Sequence, residues 1–399
     1  MGVLARAPRS RHFEHAPRLI EGMGLLRALN ASAHLRGPQR IGARPLVLYG
    51  AGNLGRLARD HLASVGQPIA AVVDVHARTL RADPAWAGIP LLAPDEVPDA
   101  LKREALLALC VVTLPFAPLA EELARQGWAT CVPFYDIAEA FRDRHPLSNG
   151  WFADPLTPTD LEDAGDVLDG WWDEASRAHH LRFAAWRLAR EEWDFADARV
   201  EPETRFFIPE VRAALRRTDS FLDGGAHHGS VTERMLQISG LPRGVIWAIE
   251  PDAESHKALR AWAGRAGSDV RARLHLMDRV LTERDAPVPF HSGLGYASQV
   301  AATGTLRQGT PIDALDLAPG FIKLHLEGGE LAALKGARET LRRHRPVIAA
   351  TVYHNADGLV RTPHWLMTSL DRYAILMRTH GWCGTGAVVY AIPMERLPR

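Results

Sequence analysis

The segment Phe321–Gly336, FIKLHLEGGELAALKG, brings several polar side chains to the end of an apolar run. The run predicts a buried strand over Phe321–Leu326, followed by a turn at the paired glycines and then a helix. Because side chains alternate along a strand, Lys323, His325 and Glu327 should share one face. Ligands of open α/β sheets bind just outside the carboxyl ends of the strands. We therefore expect this strand end to carry chemistry.

The chemistry that these residue types offer is proton transfer. His325 is an imidazole that can act as a base near neutral pH, and Glu327 offers a carboxylate beside it. His354 follows the next predicted strand, VIAATV, so it should lie on the same rim of the sheet. We take His325, His354 and Glu327 as the catalytic candidates. Lys323 is expected to be structural and to pair with an acid.

A glycine-rich loop precedes this segment in the chain. FLDGGAHHGSVTERML has the pattern D-x-G-x-x-x-G, with Asp223, Gly225 and Gly229 between a strand and a helix. Glu250 ends the next strand, 21 residues after Gly229, where a carboxylate can accept both hydroxyls of a ribose. Loops of this kind are used by S-adenosylmethionine enzymes, with Gly225 admitting the ligand and Asp223 bonding its amino group. NAD remains an alternative ligand of the pattern, although no repeated second half follows.

Further residues complete the predicted cofactor set. Asp278 ends the strand RLHLM, where an acid would reach an adenine amino group, and Ala226 and His227 belong to the loop itself. His228 is expected to face solvent. His227, His228 and His325 could in principle form a metal site, but they lack short ligand spacing, so no metal is expected.

A second glycine loop lies nearer the N-terminus. VLYGAGNLG carries Gly50, Gly52 and Gly55 after a strand, and Asp74 ends the next strand 19 residues after Gly55. This is a dinucleotide-type fingerprint, in which the acid can bond a ribose hydroxyl. Two interpretations remain open: the loop binds a nucleotide or nucleotide-sugar, or it serves tight packing or an oligomer contact.

The alternation of strands and helices predicts the organisation of the chain. We predict an α/β protein with two Rossmann-like parallel-sheet domains joined by a helical connector. The helical pattern of the connector extends through Trp193. The predicted boundaries are an N-terminal helical and loose segment (1–43), a short nucleotide-binding-type domain (44–136), the connector (137–218) and a second sheet domain (219–399).

The region from Asp219 to the C-terminus resembles the FkbM-type S-adenosylmethionine-dependent methyltransferases. The resemblance rests on LDGGAHHG, AIEPD, the long block FIKLHLEGGELAALKGARETLRRHRPVIA, and YHNADGLVRTPHWLMTSLDRYAILMRTHGW. It implies a seven-stranded sheet whose last strand, AVVYAIP, is antiparallel. It also implies methyl transfer to oxygen, commonly on a sugar or a polyketide-type hydroxyl. The family most often has Asp where this chain has His325.

The substituted histidine keeps two other functions open. One is a methyltransferase fold that binds ligands without turnover, and the other is a nucleotide- or NAD-dependent enzyme that works from Gly50–Asp74. Measuring turnover in a His325→Asp variant tests the first alternative, binding without turnover.

Composition limits the classes of partner. The 399 residues carry no net charge, so nothing favours capture by nucleic acid or by a membrane surface. No apolar run has the length of a signal peptide or of a membrane span, and the three cysteines are far apart. We expect a soluble cytoplasmic protein with reduced thiols and a small-molecule or saccharide acceptor, and homo-oligomerisation remains open.

Overall fold

The computed structural model describes residues 9–33, 37–148, 151–238 and 243–397. The strands in these ranges are, in chain order, β1 (Arg9–Phe13), β2 (Leu46–Tyr49), β3 (Ala71–Val73), β4 (Leu91–Leu92), β5 (Leu106–Leu109), β6 (Cys131–Pro133), β7 (Glu191–Phe195), β8 (Phe221–Gly224), β9 (Ile246–Ile249), β10 (Leu274–Met277), β11 (Val280–Leu281), β12 (Pro287–His291), β13 (Gln299–Val300), β14 (Thr305–Thr310), β15 (Phe321–Leu324), β16 (Val347–Thr351), β17 (Tyr373–Thr379) and β18 (Ala387–Pro393).

The helices alternate with these strands through most of the chain. They are α1 (Leu19–Ser32), α2 (Asn53–Ser64), α3 (Ala77–Leu80), α4 (Asp99–Glu104), α5 (Phe116–Arg125), α6 (Phe134–Ala138), α7 (Pro158–Gly170), α8 (Glu174–Ala184), α9 (Pro209–Ala214), α10 (Ser230–Gln237), α11 (Ala253–Arg265), α12 (Ser268–Arg271), α13 (Glu330–Lys335), α14 (Arg338–His344) and α15 (Arg361–Ser369). A π-helical turn over Ala185–Ala189 continues α8.

Two large sheets organise the chain, as predicted. The first has five parallel strands in the order β4-β3-β2-β5-β6. The second has seven strands in the order β10-β9-β8-β15-β16-β18-β17, and β18 runs antiparallel to both of its neighbours. The mixed α/β class and the antiparallel last strand are therefore confirmed.

A smaller sheet was not predicted from the sequence. Strands β11, β14, β12 and β13 form it in that order, between the end of β10 and the start of β15. The strands are short and have no clear alternation of apolar and polar residues, so periodicity gives little sign of them. This sheet supplies a wall of the cavities described below.

The helical prediction through Trp193 is wrong at its end. Arg190 adopts a left-handed backbone (φ 53°), and Glu191–Phe195 forms β7 instead. This strand pairs in parallel with Arg9–Phe13, in the N-terminal segment that was predicted to be helical or loose. The strand Phe321–Leu324 is also two residues shorter than predicted, and the turn follows at Glu327 and Gly328. A pairing between segments more than 180 residues apart leaves no mark on local sequence patterns.

The connector is part of the core of the seven-stranded sheet. Buried Leu181 and Trp171 belong to the same apolar cluster as Ile322 and Val389. Trp186 lies in another cluster, with Phe116 and the apolar residues of the five-stranded sheet. The connector therefore joins the two sheets by packing as well as by sequence. In the part of the chain that is described, no helix combines the length and the apolar character needed to cross a bilayer.

Candidate functional site

The glycine loop after β8 is shaped by two left-handed glycines. Gly225 has φ +71°, and a Cβ there would lie 1.9 Å from the carbonyl oxygen of His325. Gly229 has φ +87°, and a Cβ there would lie 2.7 Å from the ring of Trp262. Both positions therefore require glycine for backbone conformation and for space. The loop turns back on itself and starts α10 at Ser230.

Glu250 is buried at the end of β9 and faces this loop. Its Oε2 accepts the backbone N–H of His227 at 2.8 Å, and its Oε1 accepts that of Asp252 at 2.8 Å. Burial raises the pKa of Glu250 to about 7, against the lowering effect of these two bonds. Each carboxylate oxygen keeps a further lone pair, so the group can still accept hydrogen bonds from a ligand.

Gly225, Ala226, His227 and Glu250 line one cavity of about 440 Å³. His325 and Glu327 line the same cavity from the segment that follows β15. Six of the sequence-predicted residues thus meet in one space. Gly229 is absent from its lining and acts through the shape of the loop.

Two predicted cofactor residues, Asp223 and Asp278, do not line this cavity. Asp223 is fully buried, its Oδ1 lies 2.8 Å from Lys323 Nζ, and its Oδ2 accepts the hydroxyl of Thr232 at 2.7 Å. It holds the strand pair together and does not line the cavity. Asp278 is exposed and forms an ion pair with Arg307 at 2.5 Å, and Arg279 lines the cavity at that strand end instead.

Lys323 is structural, as expected. Besides the pair with Asp223, its ammonium donates to the carbonyl oxygens of Gly225 at 2.7 Å and Gly224 at 3.2 Å. The buried lysine thereby fixes the backbone of the glycine loop from the neighbouring strand.

His325, Glu327 and His354 form a tight cluster. Glu327 Oε1 lies 3.1 Å from His325 Nε2 and 3.5 Å from His354 Nε2. The two imidazole rings stack, with centroids 5.0 Å apart. The hydroxyl of Tyr353 lies 3.2 Å from His325 Nε2 and accepts a hydrogen bond from Arg205 at 2.8 Å. The three catalytic candidates are thus in contact, although 29 residues separate the first from the last.

The electrostatics of the cluster favour neutral groups. Burial, and then the positive charges of Arg205 and Lys323, lower the pKa of His325 well below its usual range. Burial, with Arg187 and Arg205, has the same effect on the pKa of His354. Burial raises the pKa of Glu327 well above its usual range. Both imidazoles therefore keep a lone pair available at neutral pH.

A second cavity of about 630 Å³ adjoins the first. The two share Leu281, Val300, Glu327 and Gly329 in their linings, and His354 lines the second. Glu327 thus stands at the boundary between the space beside the glycine loop and a larger, open space beside His354.

The histidines of the glycine loop behave differently from one another. His227 lines the first cavity with a left-handed backbone (φ 50°), whereas His228 is exposed, as expected. Their rings stack with centroids 3.7 Å apart. Burial, followed by His228 and Lys323, lowers the pKa of His227 to about 4. Among the described residues, the ligand-type group that includes His325 contains Glu327 and His354 and neither loop histidine.

The acid of the first glycine loop is bonded to the backbone in the same way as Glu250. Asp74 accepts the backbone N–H of Ala51 and of His76, each at 2.7 Å, through separate oxygens. Gly50 has φ +105°, and a Cβ on Gly55 would lie 2.1 Å from the carbonyl oxygen of Gly50. The close approach of Gly50 and Gly55 requires glycine for packing, and nucleotide binding at this loop stays a prediction. Asn53, which lies between Gly52 and Gly55 and begins α2, lines the cavity beside Glu250.

Sequence patterns did not indicate several residues of the site. Arg187, which is 1% exposed in the π-helical turn, donates to the carbonyl oxygens of Tyr353 at 3.0 Å and Asn355 at 3.2 Å. It fixes the rim segment that carries His354. Arg205 lines the first cavity from a turn and Tyr296 from a short 3-10 helix (Gly295–Ala297), and both segments are too short for a periodic signal. Arg187 lies in the π-helical turn Ala185–Ala189, and such turns are frequent at functional sites. This feature is visible in the structure and not in the sequence.

Comparison with known proteins agrees with this geometry. Residues 223–372 match the family described as the Methyltransferase FkbM domain. The chain also resembles a crystal structure of Methyltransferase FkbM from Methylobacillus flagellatus KT, with a TM-score of 0.62 and 20% identity, over 94% of this chain and 100% of that one. At that identity the likeness shows a shared fold.

A second solved structure is more distant. A precorrin-6y C5,15-methyltransferase from Geobacter metallireducens GS-15 aligns over 50% of this chain and 95% of its own, with 17% identity and a TM-score of 0.28, which carries no argument. No curated protein matches the chain significantly. The matched residues include the glycine loop, Glu250 and the whole His325–Glu327–His354 cluster, and they identify residues 223–372 as an FkbM methyltransferase domain.

Proposed function

We propose that this chain is an S-adenosylmethionine-dependent O-methyltransferase that acts on a hydroxyl of a small molecule, sugar or saccharide. One observation carries the proposal: the cavity lined by Gly225, Ala226, His227 and Glu250 is also lined by His325 and Glu327. A cofactor seat and a proton-handling cluster therefore share one space, in a chain whose residues 223–372 match a methyltransferase family.

The residues present fit the cofactor. A cavity of about 440 Å³ is within the range of small-molecule sites, about 300–1,000 Å³. The missing Cβ of Gly225 leaves the backbone open to close approach, and the spare lone pairs of Glu250 suit two ribose hydroxyls. We assign Gly225, Ala226, His227 and Glu250 to direct contact, and Asp223 and Gly229 to support of the loop.

The chain's own task in this reaction is alignment and proton removal. When bound, the cofactor supplies a sulfonium methyl group that an oxygen nucleophile displaces in line. Glu250 and the loop hold one partner of the reaction, while the second cavity offers room for an acceptor beside His354. Fixing both partners lowers the entropic part of the barrier. The boundary residues His325, Glu327 and His354 are in reach of an acceptor hydroxyl and activate it.

The first test is removal of the Glu250 carboxylate. We expect Glu250→Ala to abolish measurable cofactor binding in isothermal titration calorimetry of the full chain, because the ribose loses its acceptor. A thermal scan of the same variant checks that the fold survives. Unchanged affinity in a folded variant would refute the assignment.

A binding protein without turnover is the main rival. Labelled cofactor incubated with a panel of hydroxylated acceptors distinguishes the two, because only an enzyme moves the label to an acceptor. Cofactor binding without transfer across sugars, saccharides and phenols would favour the rival. A thermal-shift comparison with NAD and nucleotide-sugars tests whether the first glycine loop, with Asp74 at the end of the next strand, binds a nucleotide.

A further inference from the structure

The His325–Glu327–His354 cluster has the composition of a metal site. One nitrogen from each imidazole and one carboxylate oxygen lie within 4.8 Å of one another. Both Nε2 atoms approach the same oxygen, Glu327 Oε1, at 3.1 and 3.5 Å. Two imidazoles and one carboxylate on one side of an open cavity are a donor set that suits divalent first-row transition metals, with positions left for other ligands.

The surroundings of His354 give an independent indication. Its side chain is 6% exposed, and its Nδ1 is buried without a hydrogen-bond partner. Glu330 Oε1 is the nearby acceptor, 3.8 Å from that atom. A histidine that binds a metal through Nε2 carries its proton on Nδ1 and commonly directs it to a carboxylate. His354 has this arrangement: its ring is buried between two carboxylates, and its Nδ1 has no hydrogen-bond partner.

The outer carboxylate is rigidly held. Glu330 accepts the backbone N–H groups of Leu326 at 2.8 Å and Gly328 at 2.9 Å, and the hydroxyl of Thr351 at 2.5 Å. These three bonds fix the group that faces His354, so the orientation of the imidazole has a defined support.

The backbone at Glu327 is strained in a way that presents its carboxylate to the cavities. Glu327 has φ 52°, in the left-handed region that a residue with a side chain adopts at a cost. Gly328 follows with φ 103°, and its carbonyl oxygen accepts a hydrogen bond from Asn355 at 2.8 Å. Such conformations persist where the surrounding contacts enforce them, often at functional sites.

Neighbouring charges leave room for a cation. Lys323 is neutralised by Asp223 at 2.8 Å, and Arg205 is directed to the hydroxyl of Tyr353. Glu327 and Glu330 both approach the histidines; Glu330 is buried, and the Glu327 side chain is 12% exposed. A divalent cation bound there would lie beside both carboxylates and could be held by their oxygens.

We infer that His325, Glu327 and His354 bind one divalent transition-metal cation at the boundary of the two cavities. The inference rests on the proposed function and deepens it. The acceptor hydroxyl binds an open position of the cation, which lowers the pKa of the hydroxyl and sends its proton to water in the second cavity. The resulting oxygen forms the bond to the methyl carbon as the carbon–sulfur bond breaks, and the electron pair of that bond stays on sulfur. The cation, in place of a free imidazole, then activates the acceptor.

Cobalt binding tests the inference on the full chain. Protein stripped with a chelator is titrated with Co²⁺, and its visible d–d absorption is followed. We expect saturation at one Co²⁺ per chain and displacement by Zn²⁺. His354→Ala and Glu327→Gln should each weaken binding about tenfold or more, since even the loss of outer-shell partners costs 10–100-fold. Absence of Co²⁺ binding would overturn the inference.

The chain offers a matched control. Asp163, Asp166 and His364 form a second group with metal-ligand composition, nearer the surface. His364→Ala should leave the Co²⁺ titration unchanged. A signal lost in His364→Ala and kept in His354→Ala would assign the cation to the other group and refute the inference. A folded His325→Ala variant lacks one proposed ligand and should not bind Co²⁺. His325→Asp keeps a ligand-type side chain at this position and should bind it.

The same samples separate this inference from the proposed function. The glycine loop and Glu250 do not belong to the cluster, so S-adenosylmethionine should bind the stripped protein in calorimetry. Cofactor binding and methyl transfer without any metal would refute the metal site and leave the proposed function standing. Metal binding without cofactor binding would refute the proposed function and leave the metal site standing.

Discussion

Glu250 is the residue on which the cofactor assignment depends most directly. It accepts two backbone N–H groups and still faces the cavity. Desolvation brings its pKa to about 7, so its charge changes within the physiological range. Hydrogen bonds from ribose hydroxyls favour the ionised form, and cofactor binding should therefore lower this pKa.

Cofactor affinity should depend on pH through this residue. Below pH 7 the free carboxyl is mostly protonated and must lose its proton to accept the ribose, so affinity should fall by up to about tenfold between pH 8 and pH 6. Calorimetry at several pH values measures this. Glu250→Gln keeps the shape without the titration, and it should bind weakly with little pH dependence. An equal slope in wild type and Glu250→Gln would contradict the prediction.

At the scale of elements, the strand–loop–helix unit of β8 and α10 shapes the cofactor cavity. Its glycines are required by backbone conformation and by contact with β15 and α11. Lys323 ties the same loop to β15 through Asp223 and two carbonyl oxygens. The loop is thus rigid before any ligand binds, which reduces the entropic cost of binding.

Replacing the first of these glycines should affect stability and binding together. Gly225→Ala would bring a Cβ to 1.9 Å from the carbonyl oxygen of His325 in a left-handed conformation, and we expect a loss of about 2 kcal/mol or more in the free energy of unfolding. Urea denaturation measures this change, and calorimetry should show weakened cofactor binding. The control is Gly264→Ala on α11, where a Cβ meets nothing within 4 Å and stability should not fall. Equal stability of the two variants would contradict the argument.

At the scale of the whole molecule, the connector and the seven-stranded sheet share a core. Helix α8 packs on β17, where His179 Nδ1 lies 2.8 Å from the Thr379 hydroxyl and Arg378 pairs with Asp173 at 2.7 Å. Arg187 reaches across to the rim segment beside His354. The boundary at residue 219 remains a sequence prediction, and this packing favours a folding unit that includes the connector.

Removing the connector by truncation tests whether it belongs to the folding unit of the seven-stranded sheet. A fragment of residues 219–399 would expose the apolar face that Leu181 and Trp171 cover in the full chain. We expect it to lack a cooperative thermal transition, because the lost burial is a large fraction of marginal stability. The full chain should unfold cooperatively under the same conditions. A fragment that unfolds cooperatively and binds cofactor would show that the second sheet domain folds alone.

Local patterns revealed much of the architecture. Glycine loops, apolar strands and acids at strand ends predicted both sheets and six residues of the first cavity, whereas the antiparallel last strand was implied by the family resemblance. Those signals are visible because each depends on a few neighbouring residues. Asp223 and Asp278, also predicted for the cofactor, pair with Lys323 and Arg307 and do not line the cavity, because spacing along the chain does not reveal these ion pairs.

The sequence by itself determined that a polar strand end, His325 and Glu327, would face a glycine loop on a parallel sheet. Only the tertiary structure decided that His354 joins them around one carboxylate oxygen, with Arg187 and Glu330 supporting the rim. It also decided that β1 pairs with β7 and that the connector shares the core. The physical reason is range: strand period and turn chemistry act over a few residues, whereas side-chain convergence depends on how distant segments pack.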